Sequence, residues 1–460
     1  MKNLNDIIEK INEVEFSFKH INHNILGKNV WPLIRVSIIK KLYTINFGQK
    51  EKFSFRSYFH HVIDFLRFFE LWKMKSKNLF LLYGTDKSGK VEINNRLLDK
   101  HFSPFEDKFG YPKVALIEFG YIDPSKPKSN ALNITLFYYL VKPILNIYFK
   151  IRLRKKTQGI SELLRRNESV DIDSFNLSLI DFFTKFVFFR FILKYIIKPK
   201  NVFVKSFGNI TAMALLNAAN DLNINTIEFQ HGQQGENSLS YSNWNNAPQS
   251  GFKMLPKYFW IWENRFRGKF DKWMSNQNFH KVIVGGNLWH NYILRNNNSL
   301  KFNFNKEIIH VLYCLQYSEL NDIVIKAMKL SNNILWHVRL HPREKYKTNK
   351  IFQFLLNEGI KKNKFSLVEA NNYSFEKLVP NIDVVVSEWS TVLYEAYCFQ
   401  KKSITVSNYG KEAYREFIRE GTIYFADKSE TLLKLINDKT IIENSYYPKY
   451  NHEAVKFLDI

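Results

Sequence analysis

The sequence predicts an α/β protein of two parallel-sheet domains facing a cleft, preceded by a helical lead-in. Three observations carry this. Short β-branched runs recur along the chain, apolar throughout rather than alternating, as strands covered on both faces are. Helical stretches intervene between them. At 460 residues the chain is too long for one ordinary core, so two domains are expected. Two of the runs, 334–340 and 382–386, deliver polar or charged groups just past their C-terminal ends. That edge of an open α/β sheet is where ligands bind.

Residues 1–75 read as the helical lead-in, with Ile7, Ile8, Ile11 and Val14 on one stripe and further helical runs at 30–42 and 58–72. His60 and His61 are adjacent, so on a helix they point apart and form no site. The first domain is expected over 76–265. Its strands read at 78–83, 113–119, 201–205, 225–232 and 258–262, with an alanine-rich helix at 210–222 making a βαβ unit. After the first strand, Gly84 to Lys90 approaches a phosphate loop, but Val91 stands where the magnesium-holding hydroxyl is required. An ordinary strand-to-helix loop is the reading there. Polar residues from 264 to 280 mark the expected hinge. The second domain is expected over 281–440, with strands at 281–284, 308–315, 334–340, 365–368, 382–386, 403–406 and 422–425. The tail, 441–460, is expected to return to the first domain.

Hydrophobic content of 45% and charged content of 24% are those of a folded globular chain. Aromatic content of 16%, from 41 Phe and 24 Tyr, argues against extended disorder. The net charge is +24. It reads either as attraction to an anionic partner or as drift toward Lys, Asn, Ile and Phe together, which an AT-rich coding sequence produces. No nucleic-acid docking motif accompanies it. The two cysteines, Cys314 and Cys398, sit in apolar surroundings and read as small buried hydrophobes of a reducing compartment. Their count excludes a disulfide framework and a cysteine zinc site. Met1 to Asp6 opens no apolar signal segment, and a cytoplasmic protein is expected. The segments 132–151 and 177–197 come nearest to spanning length but are broken by Lys, Arg, Asp or Pro. Both fit a helix lying in a membrane interface and a core helix with snorkelling lysines.

Four constellations carry chemistry. In Arg339-Leu340-His341-Pro342-Arg343 a strand ends on a turn fixed by Pro342. His341 can donate to a departing phosphate, and Arg339 or Arg343 can pair with it. In Ser387-Glu388-Trp389-Ser390-Thr391 the hydroxyls of Ser387, Ser390 and Thr391 open a helix whose N–H groups suit a phosphate. The same residues are also common N-caps. Glu395, one turn on, can accept from ribose hydroxyls or favour the helix dipole. In Ile227-Glu228-Phe229-Gln230-His231-Gly232, His231 stands at a strand end and is placed for general-base work. Gln230 and Gly232 flank it on the acceptor side. Gly285-Gly286-Asn287 ends a fourth strand and can approach a ligand.

On these residues the chain resembles bacterial surface-polysaccharide glycosyltransferases of the GT-B fold, closest to the capsule and lipopolysaccharide group with sialyltransferase-like and polysialyltransferase-like members. The resemblance covers about 200–430. It implies two Rossmann-like domains, the first binding acceptor and the second a nucleotide sugar. It also implies transfer of the sugar to a hydroxyl of a surface glycan, with no cofactor and no metal. In that family a His-Pro motif and a Ser-Ser/Thr motif hold the CMP of the donor. His341-Pro342 matches the first, and Ser390-Thr391 is a Ser-Thr version of the second. The family's acidic base motif has no clean match here, which leaves His231 as the base. Peripheral contact with the anionic inner face of the cytoplasmic membrane is expected. Two rivals stand beside this reading: a CDP-polyol phosphotransferase of teichoic-acid type, and a degenerate, non-catalytic relative acting as an assembly partner.

Overall fold

The structure is a computed structural model that describes residues 9, 11–16, 24–42, 70–83, 90–93, 96–109, 114–120, 131–154, 156–157, 160–162, 172–232, 238–242, 244, 247–296, 302, 304–316, 319–438, 451, 454 and 456. His60, His61, most of the 58–72 helical run and the loop at 84–89 lie outside them.

The first sheet has seven parallel strands: β1 (Asn78–Tyr83), β2 (Val114–Phe119), β3 (Leu132–Asn133), β4 (Asn201–Val204), β5 (Asn225–Phe229), β6 (Tyr258–Ile261) and β7 (Lys281–Val284). Their spatial order is β3-β2-β1-β4-β5-β6-β7. The second sheet has six parallel strands: β8 (Ile309–Cys314), β9 (Ile334–Arg339), β10 (Phe365–Ser366), β11 (Val384–Ser387), β12 (Lys402–Thr405) and β13 (Tyr424–Phe425). Their order is β10-β9-β8-β11-β12-β13. Each sheet therefore starts at a central strand, winds outward one way, then restarts on the other side. That is the doubly wound Rossmann order, and it leaves a switch point between β1 and β4 and another between β8 and β11. The protein thus has the two-domain GT-B arrangement expected from the sequence.

The strands form because helices cover both faces. In the first domain Phe80, Phe203 and Phe229 stack across β1, β4 and β5, with ring centroids 4.4 and 5.4 Å apart. Behind them lies α4 (Ile210–Asp221), started by Asn209, whose side chain accepts from the Ala212 N–H at 2.9 Å. Its alanines keep it thin between the sheet and the phenylalanine-rich α3 (Ile172–Phe191). In the lead-in, α1 (Trp31–Leu42) carries Arg35, fully buried. Arg35 pairs with Glu15 and donates to the carbonyls of Leu239 and Ser242 at 3.0 and 2.8 Å, bolting the lead-in to the first domain.

Two expectations change. The segment 264–280 is no hinge. It is the crossover from β6 to β7, and it holds α5 (Gly268–Met274), whose Phe270 and Trp273 are buried with Phe266. Its letters look polar, but the aromatics between them face the core. Consequently Lys281–Val284 pairs with β6 and closes the first sheet instead of opening the second domain. Asn451, from the tail, donates to the Val284 carbonyl at 3.0 Å, and Ala454 is buried against the first sheet. The sequence reading also passes over the two-residue β3 and the hairpin of Lys90–Ile93 with Arg96–Asp99.

Three buried histidines make the fold acid-sensitive. Burial pushes His280, His290 and His337 down to about 4 from an ordinary 6.5. His280 is satisfied as a neutral ring: Nδ1 donates to the Pro256 carbonyl at 2.7 Å and Nε2 accepts from the Phe252 N–H at 2.9 Å. Below pH 6.5 the unfolded chain gains protons there that the folded chain refuses, so stability falls until the folded value near 4 is reached. The expected result is a urea midpoint that drops steadily across that window. A midpoint flat over the same range would disprove it.

Candidate functional site

A cavity of about 200 Å³ opens where the C-terminal ends of the first sheet meet the second domain. Lys205 follows β4, Gln230 and His231 follow β5, Trp262 follows β6, and Gly286 and Asn287 follow β7. Glu395 enters from the second domain on α6 (Val392–Cys398). Lys100 and His101, on the turn after the 90–99 hairpin, complete the lining with Trp289.

His231 is partly exposed to this cavity, and its Nδ1 stands 3.9 Å from Glu228 Oε1. Glu228 is buried behind it, accepts from the Tyr241 hydroxyl at 2.5 Å, and is pushed up to about 8 by burial. The loop that carries His231 is locked by Gln230. Its amide nitrogen donates to the Gly232 carbonyl at 3.1 Å, and its amide oxygen accepts from the Trp262 N–H at 2.9 Å. Gly232 faces the second domain, where a Cβ on it would come 3.6 Å from Thr391 Oγ1. The His231 loop and the Ser390-Thr391 turn therefore meet across the cleft.

On the second sheet, β9 leads to His341 and β11 leads to Ser390 and Thr391. Ser390 and Thr391, after β11, border the switch point between β8 and β11, while His341, after β9, lies one strand further off on the other side of β8. His341 starts a tight turn, its carbonyl accepting from the Glu344 N–H at 2.8 Å, and Pro342 opens a 3-10 helix on the surface. Ser390 and Thr391 form the start of α6, and the Ser390 carbonyl accepts from the Tyr414 hydroxyl at 2.7 Å. Thr391 stands at the N-cap position but makes no side-chain cap bond. Arg339 donates from Nη1 to the carbonyls of Ala370 and Tyr373, the latter at 2.9 Å. That nitrogen is committed, and what Arg339 supplies to the cleft is charge. The carboxyl of Glu395 is raised by burial, against the pull of Lys100 and Arg339. Arg343 falls within the Pro342–Lys347 turn.

Of the expected donor-site residues Glu395 and Gly286 line the cavity, whereas Arg339, His341, Pro342, Ser390 and Thr391 do not. Ser387, Gly285 and Gly286 are placed otherwise than expected. Ser387 is fully buried and donates to the Cys314 carbonyl at 2.7 Å, tying β11 to β8 inside the sheet. Gly285 and Gly286 end β7 of the first sheet, not the nucleotide side of the second domain. A Cβ on Gly285 would come within 1.8 Å of the Trp260 ring, so packing alone requires glycine there. Gly286 does line the cavity, with φ +85° and a carbonyl accepting from Trp260 Nε1 at 3.0 Å.

Lys100, His101 and Trp289 were not legible in the sequence, since none belongs to a motif, and Lys205 carried the strand-end signature but was passed over. Lys100 Nζ lies 2.7 Å from Glu376 Oε1 of the second domain. Glu376 also accepts from Trp289 Nε1 at 2.8 Å. Burial alone would lower the Lys100 ammonium, but Glu376 and Glu395 outweigh it and hold it above its ordinary value. The rest of the interface is aromatic: Trp262 stacks on Tyr394 at 5.1 Å, and Arg265 lies over Phe417 while bonding Glu420 at 2.7 Å. Among the described residues no cluster of His, Cys, Asp or Glu is arranged to hold a metal ion. Cys314 and Cys398 are both buried free thiols.

Fold and site together define a two-sheet α/β protein with a ligand cleft between its domains. No family model matches the chain, and no curated protein matches it in sequence. Among solved structures it is similar to a UDP-N-acetylglucosamine 2-epimerase from Neisseria meningitidis bound to UDP-GlcNAc, with TM-score 0.45 and 12% identity over 83% of this chain and 98% of that one. It is also similar to wall teichoic acid polymerase TagF, with TM-score 0.41 and 13% identity over 88% of this chain and 91% of that one.

Proposed function

We propose that this protein is a glycosyltransferase that moves a sugar from a nucleotide-activated donor, a CMP-sugar by preference, to a hydroxyl of a bacterial surface glycan. One observation carries the reading. His231 stands in the cleft on the first sheet, Ser390-Thr391 border the switch point of the second with His341 one strand away, and Gly232 meets Thr391 between the sheets. An acceptor hydroxyl beside His231 would lose its proton to the imidazole as its oxygen attacks the sugar. The bond from sugar to phosphate breaks on the opposite side. The charge arriving on that phosphate would be met by His341, the Ser390 and Thr391 hydroxyls and the nearby Arg339 guanidinium. Gln230 keeps the His231 loop in place.

A second reading is transfer of a polyol phosphate from a CDP-polyol. Lys205, His101 and His231 around one cavity favour it, because they suit an acceptor that already bears phosphate.

Thermal unfolding with CMP, CDP, UDP, GDP and ADP tests both, on wild type and on His341→Ala. A ligand at 100 times its Kd stabilises by about 2.7 kcal/mol. Stabilisation by CMP, lost in His341→Ala, is the expected result. Stabilisation by CDP in place of CMP selects the polyol-phosphate reading. Response to none of the five removes both and leaves a non-catalytic relative.

A further inference from the structure

We propose that the outer face of α2 (Thr135–Leu153) docks on an anionic lipid bilayer, lying in its headgroup region. One face of this helix packs inward: Tyr138, Phe149 and Leu153 are buried, and Phe149 and Tyr138 meet Phe183 and Phe188 of α3 at 5.5 and 5.4 Å. The opposite face is as apolar as the buried one. Leu140, Ile144, Ile147 and Ile151 are exposed by 57, 73, 64 and 73%. Their spacing of four, three and four residues places them on one face, a stripe about 17 Å long at ~1.5 Å per residue. Phe191 and Tyr195, 50 and 54% exposed, extend the apolar surface one and two turns beyond Phe188. Scattered exposed apolar residues need no explanation, but a continuous stripe of this kind marks an interaction surface.

The charges around the stripe say what covers it. Residues 135–154 contain no Asp or Glu, while Lys142, Lys150, Arg152 and Arg154 line the helix; its neighbour α3 and the turn after it bring Arg190 and Lys194, set against Asp173 and Asp181, the latter paired with Lys185 at 2.6 Å. Lys142 leans over Tyr139 at 5.3 Å, Arg152 over Tyr148 at 5.8 Å and Lys194 over Tyr195 at 4.9 Å, as amphipathic side chains do at a water–lipid boundary. A second copy of the chain, docked by two-fold symmetry, would press this basic rim against its own image. An anionic bilayer matches both parts at once, with acyl chains for the stripe and headgroups for the rim. No described helix is long and apolar enough to cross a membrane, so the contact lies in the plane of the interface.

Co-sedimentation of the full chain tests this, with vesicles of phosphatidylcholine alone and of phosphatidylcholine with phosphatidylglycerol. No donor or acceptor is present, so failure here leaves the transfer reading untouched, and the reverse also holds. Wild type is expected to bind the phosphatidylglycerol vesicles at least about tenfold better than the neutral ones, and less at high salt. The Ile144→Asn/Ile147→Asn variant is expected to lose about tenfold or more in that binding, and Lys142→Gln/Arg152→Gln about tenfold. Ile144, Ile147 and Arg152 are exposed and Lys142 is half-buried, and an unaltered melting curve will show that both variants fold. Wild type remaining in the supernatant with both vesicles would overturn the proposal. So would equal binding to neutral vesicles, equal binding by the Ile144→Asn/Ile147→Asn variant, or a wild-type dimer in sedimentation that this variant abolishes.

Discussion

Replacing His231 with Ala is expected to lower the transfer rate by about 10²–10⁴-fold, the usual worth of a positioned general base. The nucleotide-induced rise in melting temperature should survive the change. His231 belongs to the end of β5 on the first sheet, whereas the residues read as holding the nucleotide follow β9 and β11 on the second. The loss should therefore fall on kcat and leave donor binding close to wild type. His101 is a second imidazole in the same cavity, its ring centroid 6.5 Å from that of His231. The two differ in support. A carboxylate stands behind each ring, Glu228 Oε1 at 3.9 Å from His231 Nδ1 and Asp99 Oδ1 at 3.8 Å from His101 Nδ1, so what sets His231 apart is Gln230, which fixes its loop. His101→Ala is expected to cost less than tenfold. If instead His101→Ala is the silent enzyme and His231→Ala keeps a tenth or more of the rate, the base has been assigned to the wrong ring.

How far the sequence led can be read from particular residues. The strands were legible because helices cover both faces of each sheet, which turns Val384-Val385-Val386 or Val202-Phe203-Val204 into unbroken apolar runs. What such runs do not encode is their neighbour. Lys281–Val284 looks like any other strand, and only its pairing with β6 assigns it to the first sheet. The 264–280 segment misled because Arg, Lys, Asp, Asn and Gln outnumber the buried Phe266, Phe270 and Trp273 that determine its place. At the cavity, His231 was legible because a polar group just past an apolar strand has a defined address, while His341 and Ser390-Thr391 carry the same signature on the second sheet without lining that cavity. Gly285 carried the same signature for another reason, the space taken by Trp260. Lys100 had no signature at all. It reaches the cavity from a hairpin turn, and its partner Glu376 lies 276 positions further along the chain.

That unforeseen pair carries the largest expected effect on stability. Lys100→Met is expected to destabilise the protein by about 3–5 kcal/mol, the cost of leaving one member of a buried ion pair uncompensated. The side chains are 20 and 3% exposed, so little water reaches the Glu376 carboxylate once the ammonium is gone. Burial would raise that carboxyl, yet Lys100 and the Trp289 indole together keep it below its ordinary value. With Lys100 removed, the Trp289 N–H is a remaining donor, and it brings no charge. Glu395 would also rise, because it loses the nearest cation that opposes its burial. Urea unfolding followed by tryptophan fluorescence reads the effect, since Trp289 sits on the pair itself. Adding Glu376→Gln to Lys100→Met should recover most of the loss, because a neutral amide can keep accepting from Trp289 without a counter-charge. The pair also joins the two domains at the cavity wall, so Lys100→Met should weaken their coupling and broaden the transition. A loss below about 1 kcal/mol, the scale of an exposed ion pair, would show that the domains are held by the Trp262–Tyr394 and Arg265–Phe417 contacts instead.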